Sequence, residues 1–307
     1  MIAPNWNGRV AFISGGVSGL GVGIAKAFSD AGLRLALSYR NAAYRDEAAA
    51  WFADAGREAP LFVPLDVTDR TGWDAAAQAV IAHFGEVHVL CNNAGVSVFG
   101  NTADAAHADY DWIMGVNFGG VVNGIVAFLP HLKSTNGRRH VTNVASMAAY
   151  LSGPQAGIYT ASKFAVRGLT ESLRYNLVPL GIGCSLVCPA LIATNAWDSA
   201  FRRPDAFADS GFGAVDHDSL TQFGKVFSAG MDPHEAGRRI LAGMSADAPL
   251  IFTHPEFAED FDAIHRDSLA ALPREPVPPE RLEVERLRRE ANKAALEGKV
   301  ISLDDLT

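Results

Sequence analysis

Cysteine is scarce in this sequence, with three in 307 residues. Cys91, Cys184 and Cys188 lie inside apolar runs, as small buried hydrophobic residues do, and an odd number cannot all pair. Disulfides are therefore not expected. The nine histidines are scattered, and Cys184 and Cys188 have no partner pair at zinc-type spacing, so no metal site is expected either.

Long apolar runs are also absent. A membrane-spanning helix needs about 18 apolar residues or more, and glycine, proline or charge interrupts every candidate, including the one around Val121–Leu129. The short polar stretch Met1–Gly8 lacks the charged start and apolar run of an export signal. We expect a cytoplasmic protein without a membrane partner.

Basic residues are fewer than acidic ones, 26 against 34, which gives a formal net charge of -8. This balance argues against a polyanionic partner such as a nucleic acid or an anionic membrane surface. A small neutral substrate remains compatible with it.

Short β-branched apolar runs alternate with segments of helical periodicity, for example Leu20, Ile24 and Phe28 in the first segment. This pattern predicts an α/β fold, a doubly wound, Rossmann-type and mainly parallel seven-stranded sheet with helices on both faces. The predicted strands are Val10–Ser14, Leu33–Ser38, Leu61–Asp66, Val87–Asn92, His140–Ala145, Ile182–Cys188 and Leu250–Thr253.

We expect one dinucleotide-binding and catalytic domain over residues 1–270, followed by a proline-rich connector and a helical arm over 271–307. Residues 195–231 break the regular pattern and contain six aromatic side chains, which indicates a mobile substrate flap. The alternative is a pair of surface helices with a small core of their own. The arm, a charged helix over Glu280–Glu297, is predicted to rest on a neighbouring subunit, the alternative being a solvated tail.

A glycine-rich turn, Ser14–Gly21, joins the first predicted strand to the first predicted helix. Backbone N–H groups at such a turn, together with the helix N-terminus, can hold a pyrophosphate, and glycines let it approach closely. A glycine-rich octet can also be a simple turn. Its place between a strand and a helix favours dinucleotide binding.

The turn resembles the Thr-Gly-x-x-x-Gly-x-Gly motif of short-chain dehydrogenases/reductases, with Ser14 in place of the usual threonine. Further motifs of that family follow in order, at Asp66, Asn92–Gly95, Asn117, Ser146, Tyr159 and Lys163. The similarity covers about residues 6–255. It implies that Asp66 binds the adenine amino group, that Val67 lies beside the adenine ring, and that Asn92–Gly95 line the ribose.

The position that selects NAD in dinucleotide folds, about twenty residues past Gly19, holds Tyr39 and Arg40 instead of a carboxylate. A guanidinium can pair with a 2′-phosphate, so NADP(H) is the preferred cofactor and NAD(H) the alternative. Ser18 stands where many NADP-using relatives carry a basic residue. Arg40 could instead stack on adenine or pair with a local acid such as Asp46.

Lys163 lies four residues after Tyr159, one turn along the same face of a predicted helix. The pKa of free tyrosine is about 10, so proton transfer near neutral pH needs it lowered by about 3, or about 4 kcal/mol. Lys163 would supply part of this, and the positive charge of an oxidised nicotinamide, together with partial desolvation that strengthens both interactions, would supply the rest. The resemblance implies that Tyr159 transfers the hydroxyl proton, Ser146 binds the substrate oxygen, Lys163 also holds the nicotinamide ribose, and Asn117 anchors a water.

After the sixth predicted strand, residues 188–194 resemble the family's Pro-Gly segment, which meets the nicotinamide amide. Ala190 replaces the glycine, and a left-handed backbone would be costly for alanine. The complete predicted cofactor set is Ser14, Gly15, Ser18, Gly19, Leu20, Gly21, Tyr39, Arg40, Asp66, Val67, Asn93, Ala94, Gly95, Tyr159, Lys163, Pro189, Ala190, Ile192 and Thr194.

The predicted substrate pocket is apolar, which favours a bulky hydrophobic secondary alcohol or ketone. The extended C-terminal part, including 253–257, resembles bacterial relatives that act on aromatic and other hydrophobic alcohols and ketones; His254 within it is read as structural. The predicted substrate residues are Val96, Ser146, Met147, Tyr150, Leu191 and Trp197, with Val98 and Phe99 nearby.

Two other functions stay open, a dehydratase or epimerase on the same scaffold and a non-catalytic NADP-binding regulator. An intact Ser146, Tyr159 and Lys163 disfavours the regulator, and the single-domain length disfavours nucleotide-sugar epimerases. The resemblance also implies a homodimer or homotetramer, formed through the helices over Ala103–Leu132 and Tyr159–Leu177.

Overall fold

A parallel sheet of seven strands forms the centre of the molecule in the computed structural model, which describes residues 6–212 and 217–302. The strands are β1 (Val10–Ile13), β2 (Arg34–Tyr39), β3 (Leu61–Pro64), β4 (Val89–Asn92), β5 (Arg139–Val144), β6 (Ile182–Cys188) and β7 (Leu250–Phe252). Their order is β3-β2-β1-β4-β5-β6-β7. The fold class predicted from the sequence is confirmed, and each predicted strand is present with its ends within two residues.

Helices cover both faces of the sheet, which explains why the strands are apolar on both sides. Gly85, at φ +81°, ends the third helix in the left-handed conformation that the sequence pattern favoured. The helices are α1 (Gly19–Asp30), α2 (Ala42–Asp54), α3 (Arg70–Phe84), α4 (His107–Met114), α5 (Gly120–Ser134), α6 (Gly157–Leu177), α7 (His217–Phe227), α8 (Pro233–Ser245), α9 (Ala258–Ala270) and α10 (Pro279–Leu296).

The core has one layer on each face of the sheet. On one face Phe12 stacks on Phe128, with ring centroids 4.5 Å apart, and Trp73 packs against both rings. On the other face Ile24 and Phe28 of α1 are fully buried. The chain builds the sheet outwards from β1 to β3 on one side and from β4 to β7 on the other, so the strand order reverses between β1 and β4. A crevice opens at the carboxyl ends of strands at such a point, where α/β sheets bind their ligands.

A π-turn over Gly115–Gly119 joins α4 to α5 and makes one long helix, His107–Ser134. By length and composition alone, this helix could cross a membrane, although the sequence reading found no such segment. Close to half of its most apolar window is buried inside the fold, as in the core helix of a soluble protein. The predicted cytoplasmic location stays a prediction.

Residues 195–231 contain more regular structure than the sequence reading gave them. Short 3₁₀ helices form over Asn195–Arg202 and Asp205–Phe207, and α7 follows, while residues 213–216 of the predicted flap lie outside the described residues. The Trp197 ring packs edge-on against Phe201, with centroids 6.5 Å apart. The structure therefore favours the alternative of short helices with a local core over an irregular flap.

The C-terminal helix α10 lies on its own chain, not only in solvent. Ala291 and Ala295 are 8% and 5% exposed, because this side of α10 packs against α6 and the 3₁₀ turn Val178–Leu180. This side of α10 is therefore covered by its own chain, and a contact of the arm with a neighbouring subunit stays a prediction for its exposed side. The small alanine side chains on the covered side allow the two helices to approach closely.

Candidate active site

The glycine turn has the shape that a pyrophosphate needs. Gly15 and Gly19 have φ values of +61° and +51°, which are open to glycine and costly for other residues. A Cβ on Gly21 would lie 2.0 Å from the carbonyl oxygen of Gly15, so only glycine fits there. The turn therefore folds tightly at the N-terminus of α1, the end of a helix that favours an anion such as a pyrophosphate.

Ser14 supports the turn and does not itself face a ligand. It is 2% exposed, and its Oγ accepts hydrogen bonds from the backbone N of Asn93 at 2.9 Å and of Ala94 at 3.0 Å. The Asn93 side-chain amide donates back to the carbonyl oxygens of Ser14 and Gly15, at 3.1 and 3.3 Å. The predicted assignment of Ser14 to the cofactor is thereby corrected to a positioning role, which explains why a hydroxyl is needed.

A cleft beside the turn brings together most of the predicted adenosine residues. Ser38, which the sequence reading missed, is buried at its base and accepts a hydrogen bond from Gly15 N at 2.9 Å. Arg40 and Asp66 stand at its rim, each about half exposed. The cleft is lined by Gly15, Ser38, Tyr39, Arg40, Leu65, Asp66, Val67, Ala94, Gly95, Val96, Val116, Ser199 and Arg202.

The carboxylate that Arg40 approaches is Asp66, at 3.9 Å, and not Asp46, which Arg45 holds at 2.6 Å. The other carboxylate oxygen of Asp66 accepts from the backbone N and the hydroxyl of Thr68, at 2.9 and 2.8 Å. The structure therefore ties Asp66 to its own turn and leaves the Arg40 guanidinium at the cleft rim.

The three predicted catalytic side chains come together at the carboxyl end of β5 and the start of α6. Ser146 follows β5 in an extended conformation, and its Oγ accepts from Ala148 N at 3.1 Å. The Ser146 hydroxyl lies close enough to the Tyr159 phenol to lower its pKa. Lys163 is 4% exposed, its ammonium donates to the carbonyl oxygen of Val144 at 3.2 Å, and it lies 5.7 Å from the centroid of the Tyr159 ring.

Without a cofactor, the surroundings of Tyr159 raise the pKa of its phenol, so the predicted lowering with an oxidised nicotinamide stays a prediction. Burial raises the pKa of the phenol above its ordinary value, and the hydrogen bond with Ser146 only partly opposes this. Burial also lowers the pKa of Lys163 to about 8, so the same desolvation disfavours the charged form of both groups. The protein by itself therefore holds Tyr159 protonated at neutral pH, ready to donate to a substrate oxygen.

Asn117 lies inside the π-turn and is completely buried. Its side-chain oxygen accepts from Val96 N at 2.8 Å, and its amide donates to Val96 O and to Ser162 Oγ, both at 3.0 Å. Such turns are frequent at functional sites. Here the turn places the Asn117 carboxamide against Val96 at the end of the 93–96 segment. Ser162, which was not predicted from the sequence, links the carboxamide to α6.

The segment after β6 runs from the catalytic serine towards the glycine turn. Pro189 O accepts from Met147 N at 2.8 Å, and a Cβ on Gly19 would lie 3.4 Å from the methyl group of Thr194. Ala190 is not among the non-glycine residues with positive φ, a set that contains only Asp247 within residues 6–212 and 217–302. The alanine therefore avoids the left-handed conformation that the sequence reading considered costly.

The predicted substrate residues divide into two groups. Ser146 and Val96 lie at the site, Val96 lining the cleft. Met147 is 5% exposed and packs in the core beneath. The Tyr150 ring packs on Phe252 and Phe261, at 5.5 and 5.1 Å between centroids, under the Arg167 guanidinium.

Burial raises the pKa of Tyr150 to about 12. These packing contacts account for the positions of the Met147 and Tyr150 side chains, and their predicted contact with a substrate stays a prediction. The 3₁₀ turn Met147–Ala149 has only three residues, too few for a periodic pattern that would show from the sequence which of its side chains are buried.

An aromatic ring stands beside the reacting phenol. The Phe99 ring lies 6.0 Å from the Tyr159 ring, between centroids. Ser199 of the flap accepts from Ser97 N at 3.1 Å, and Phe212 lies against Gly100, where a Cβ would clash with its ring at 2.3 Å. The flap thus covers the 97–100 segment with apolar surface.

A buried ion pair holds this part of the flap. Asp109 of α4 is 0% exposed and accepts from Arg203 at 2.6 Å, Ser210 Oγ at 2.7 Å, and the backbone N of Gly211 and Ala106, both at 2.9 Å. The Arg203 guanidinium also lies over the Trp112 ring, at 4.7 Å from its centroid. Arg203 is therefore committed to the fold, while Arg202 forms an ion pair with Asp198 and lines the cofactor cleft.

The chain matches known proteins along most of its length. The family model of short chain dehydrogenases matches residues 9–205. A C alpha-dehydrogenase from Sphingobium sp. is 34% identical over 273 residues, covering 87% of this chain and 88% of that protein.

Two solved structures give the same result. A short-chain dehydrogenase structure from Novosphingobium aromaticivorans has 33% identity and a TM-score of 0.81, covering 96% of this chain and 99% of that one. A short-chain dehydrogenase/reductase from Burkholderia phymatum in complex with NAD has 31% identity and a TM-score of 0.81, covering 90% and 99%. With the ordered glycine turn and the Ser146, Tyr159 and Lys163 cluster, these matches show that the chain belongs to the short-chain dehydrogenase/reductase family of oxidoreductases.

Proposed function

We propose that this protein interconverts a bulky, hydrophobic, aromatic secondary alcohol and the corresponding ketone with NADP(H). The observation that carries the proposal is the buried Tyr159 phenol, with the Ser146 hydroxyl beside it and the Phe99 ring 6.0 Å from its own ring, between centroids. An aromatic wall beside the proton donor favours a substrate whose carbonyl carbon bears an apolar group. Arg203, the flap cation that could have bound an acidic substrate, is already paired with Asp109.

The residues divide the work of the reaction. A nicotinamide supplies or removes the hydride, and its oxidised form carries a positive charge that would lower the pKa of Tyr159. In reduction, Ser146 orients the carbonyl oxygen and Tyr159 donates its proton to that oxygen. In oxidation, Tyr159 accepts the hydroxyl proton. Lys163, with a pKa near 8, is able to exchange a proton close to neutral pH.

The preference for NADP(H) rests on the rim of the adenosine cleft. Arg40 and Arg202 both line it, while its one lining carboxylate, Asp66, accepts hydrogen bonds from Thr68. A guanidinium pairs with a phosphate in a charge-assisted contact. The NAD complex among the similar structures makes NAD(H) the alternative that a test has to separate.

The test of the reaction uses purified protein, reduced cofactor and a panel of aryl ketones, followed by absorbance of the reduced nicotinamide. We expect ketone-dependent oxidation, and at least a ~10²-fold lower turnover for Tyr159→Phe with cofactor affinity kept, because only the transferable proton is lost. Near-normal turnover of Tyr159→Phe would contradict the mechanism. Turnover of small polar ketones in preference to aryl ketones would contradict the substrate class.

The test of the cofactor compares dissociation constants for NADPH and NADH. Arg40→Ala should weaken NADPH about tenfold or more and NADH about twofold or less, since only NADPH carries the 2′-phosphate. Arg45→Ala is the matched control, because Arg45 is a nearby surface arginine that is held by Asp46. Equal weakening of both cofactors by Arg40→Ala would refute the phosphate contact.

We also infer a closed homo-oligomer formed through α4, α5 and α6. Three large apolar side chains on these helices are exposed, Val126 at 68%, Phe164 at 44% and Tyr110 at 40%. Exposed apolar surface of this kind is typical of subunit contacts.

A further inference from the structure

The segment Pro189–Thr194 lies where the reactive end of a dinucleotide must pass. At one end Pro189 O accepts a hydrogen bond from Met147 N, next to Ser146. At the other end Thr194 lies beside Gly19 of the glycine turn, where an added Cβ would be 3.4 Å from the Thr194 methyl group. A cofactor with its pyrophosphate on the turn and its nicotinamide near Tyr159 therefore runs along this segment. A shift of the segment would move the reacting carbon relative to Tyr159.

One side chain outside the catalytic cluster fixes the middle of this segment. His254 Nδ1 lies 3.3 Å from Ala190 N, and its Nε2 lies 3.1 Å from Leu191 O. A backbone N–H can only donate and a carbonyl oxygen can only accept, so both contacts fit the tautomer with its proton on Nε2 and a lone pair on Nδ1. The two ring nitrogens thus hold two successive residues of the segment at once.

His254 is itself held on a rigid base. It follows β7, which pairs with β6 at Cys188 and Phe252, and its neighbour Thr253 is 1% exposed, with its hydroxyl 2.7 Å from His254 Nδ1. Arg239 of α8 donates to Thr253 O at 2.6 Å. The strand and α8 therefore keep the imidazole in place, and the structural reading of His254 from the sequence is consistent with these contacts.

The same carbonyl connects His254 to the end of the flap. Leu191 O accepts from Met231 N at 2.9 Å as well as from His254, and Ala193 N donates to Met231 O at 2.9 Å. The segment is thus held from two sides, by the flap through Met231 and by β7 through His254. His254 holds the middle of the segment from outside the flap, in addition to the bond from Met147 N to Pro189 O at the start of the segment.

We propose that His254 is a positioning residue that sets the place of the Pro189–Thr194 segment, and thereby the affinity for the nicotinamide half of the cofactor and the rate of hydride transfer. This inference rests on the proposed dehydrogenase function. The proposal predicts different effects on binding of the two halves of the cofactor. His254 contacts the segment on the nicotinamide side, whereas the adenosine cleft is lined by residues that follow β1 to β4 and by the flap.

The experiment measures the binding of NADPH and of 2′-phospho-ADP-ribose, the same cofactor without its nicotinamide, to wild type, His254→Phe and His265→Phe. Phenylalanine keeps the ring size and removes both hydrogen bonds, and His265 is an exposed histidine on α9 that serves as the control. We expect His254→Phe to weaken NADPH about tenfold and to lower turnover about tenfold or more, with 2′-phospho-ADP-ribose changed less than about twofold.

Equal weakening of both ligands, or of neither, in a folded His254→Phe protein would overturn the proposal. If His254→Phe does not fold, His254→Gln carries the same comparison, since its amide can still donate to Leu191 O. The proposed function would instead be refuted if the wild-type protein bound none of the four ligands NADPH, 2′-phospho-ADP-ribose, NADH and ADP-ribose. Failure of the His254 proposal and failure of the proposed function are therefore distinguishable.

Discussion

The buried carboxylate of Asp109 gives the sharpest stability prediction. Asp109→Asn removes its charge while keeping its shape, and leaves the Arg203 guanidinium, 13% exposed, without its counter-ion. An amide also offers one acceptor oxygen where the carboxylate offers two, so some of the four donors from Arg203, Ser210, Gly211 and Ala106 lose their partner. Breaking a buried ion pair by changing one partner costs about 3–5 kcal/mol.

We therefore expect the free energy of unfolding of Asp109→Asn to fall by about 3 kcal/mol or more, measured by urea denaturation with tryptophan fluorescence. Asp111→Asn is the matched control, an exposed aspartate on the same helix, and should change stability by less than about 0.5 kcal/mol. Limited proteolysis should cut Asp109→Asn faster within the flap. A decrease of less than about 1 kcal/mol in the free energy of unfolding of Asp109→Asn would refute the reasoning that Asp109 and Arg203 form a desolvated ion pair.

The pH dependence supplies a second readout of the same group. Burial alone disfavours the charge of Asp109, but hydrogen bonds from Ser210, Ala106, Gly211 and Arg203 outweigh it and lower its pKa. A carboxyl with a lowered folded-state pKa stabilises the protein above its unfolded pKa of about 3.9, and this stabilisation is lost as the pH falls through the folded value. The acid limb of the stability curve should therefore be shallower in Asp109→Asn than in wild type.

Three further predictions test other parts of the molecule. Gly21→Ala should lower the affinity for NADPH and NADH alike by tenfold or more in calorimetric titration, because its Cβ would lie 2.0 Å from Gly15 O; unchanged affinity would contradict the shape assigned to the turn. Lys163→Met should be inactive yet more stable than wild type at pH 7, by up to about 3 kcal/mol, because burial lowers the pKa of Lys163 to about 8 and the folded protein must hold a costly proton below that pH. This difference should narrow as the pH rises from 8 towards the unfolded value of about 10.4, and a constant difference would argue against it. Val126→Glu should shift the protein towards monomer in analytical ultracentrifugation, whereas the same change at Val284 of α10, also exposed, should not; an unshifted Val126→Glu would exclude this face as the interface.

The local pattern of the sequence determined the fold and the order of the functional residues. Strands such as Val10–Ile13 are buried on both faces, so they read as continuous apolar runs, and the turn at Ser14–Gly21 has glycines where positive φ or close approach requires them. Tyr159 and Lys163 share a helix face because they lie four residues apart, which is a property of helix geometry alone. For these residues, local chemistry and tertiary structure agree.

Contacts between distant segments were decided only by the tertiary structure. Nothing near Ser14 in the sequence indicates that its hydroxyl binds Asn93 and Ala94, and nothing near His254 indicates that it holds Ala190 and Leu191. The raised pKa of Tyr159 in the absence of a cofactor has the same origin, because the sequence places a lysine beside Tyr159 but does not show how deeply both groups are buried. Periodicity and motif spacing are set over a few residues, whereas burial and hydrogen-bond partners depend on segments that meet only when the sheet and its helices have packed together.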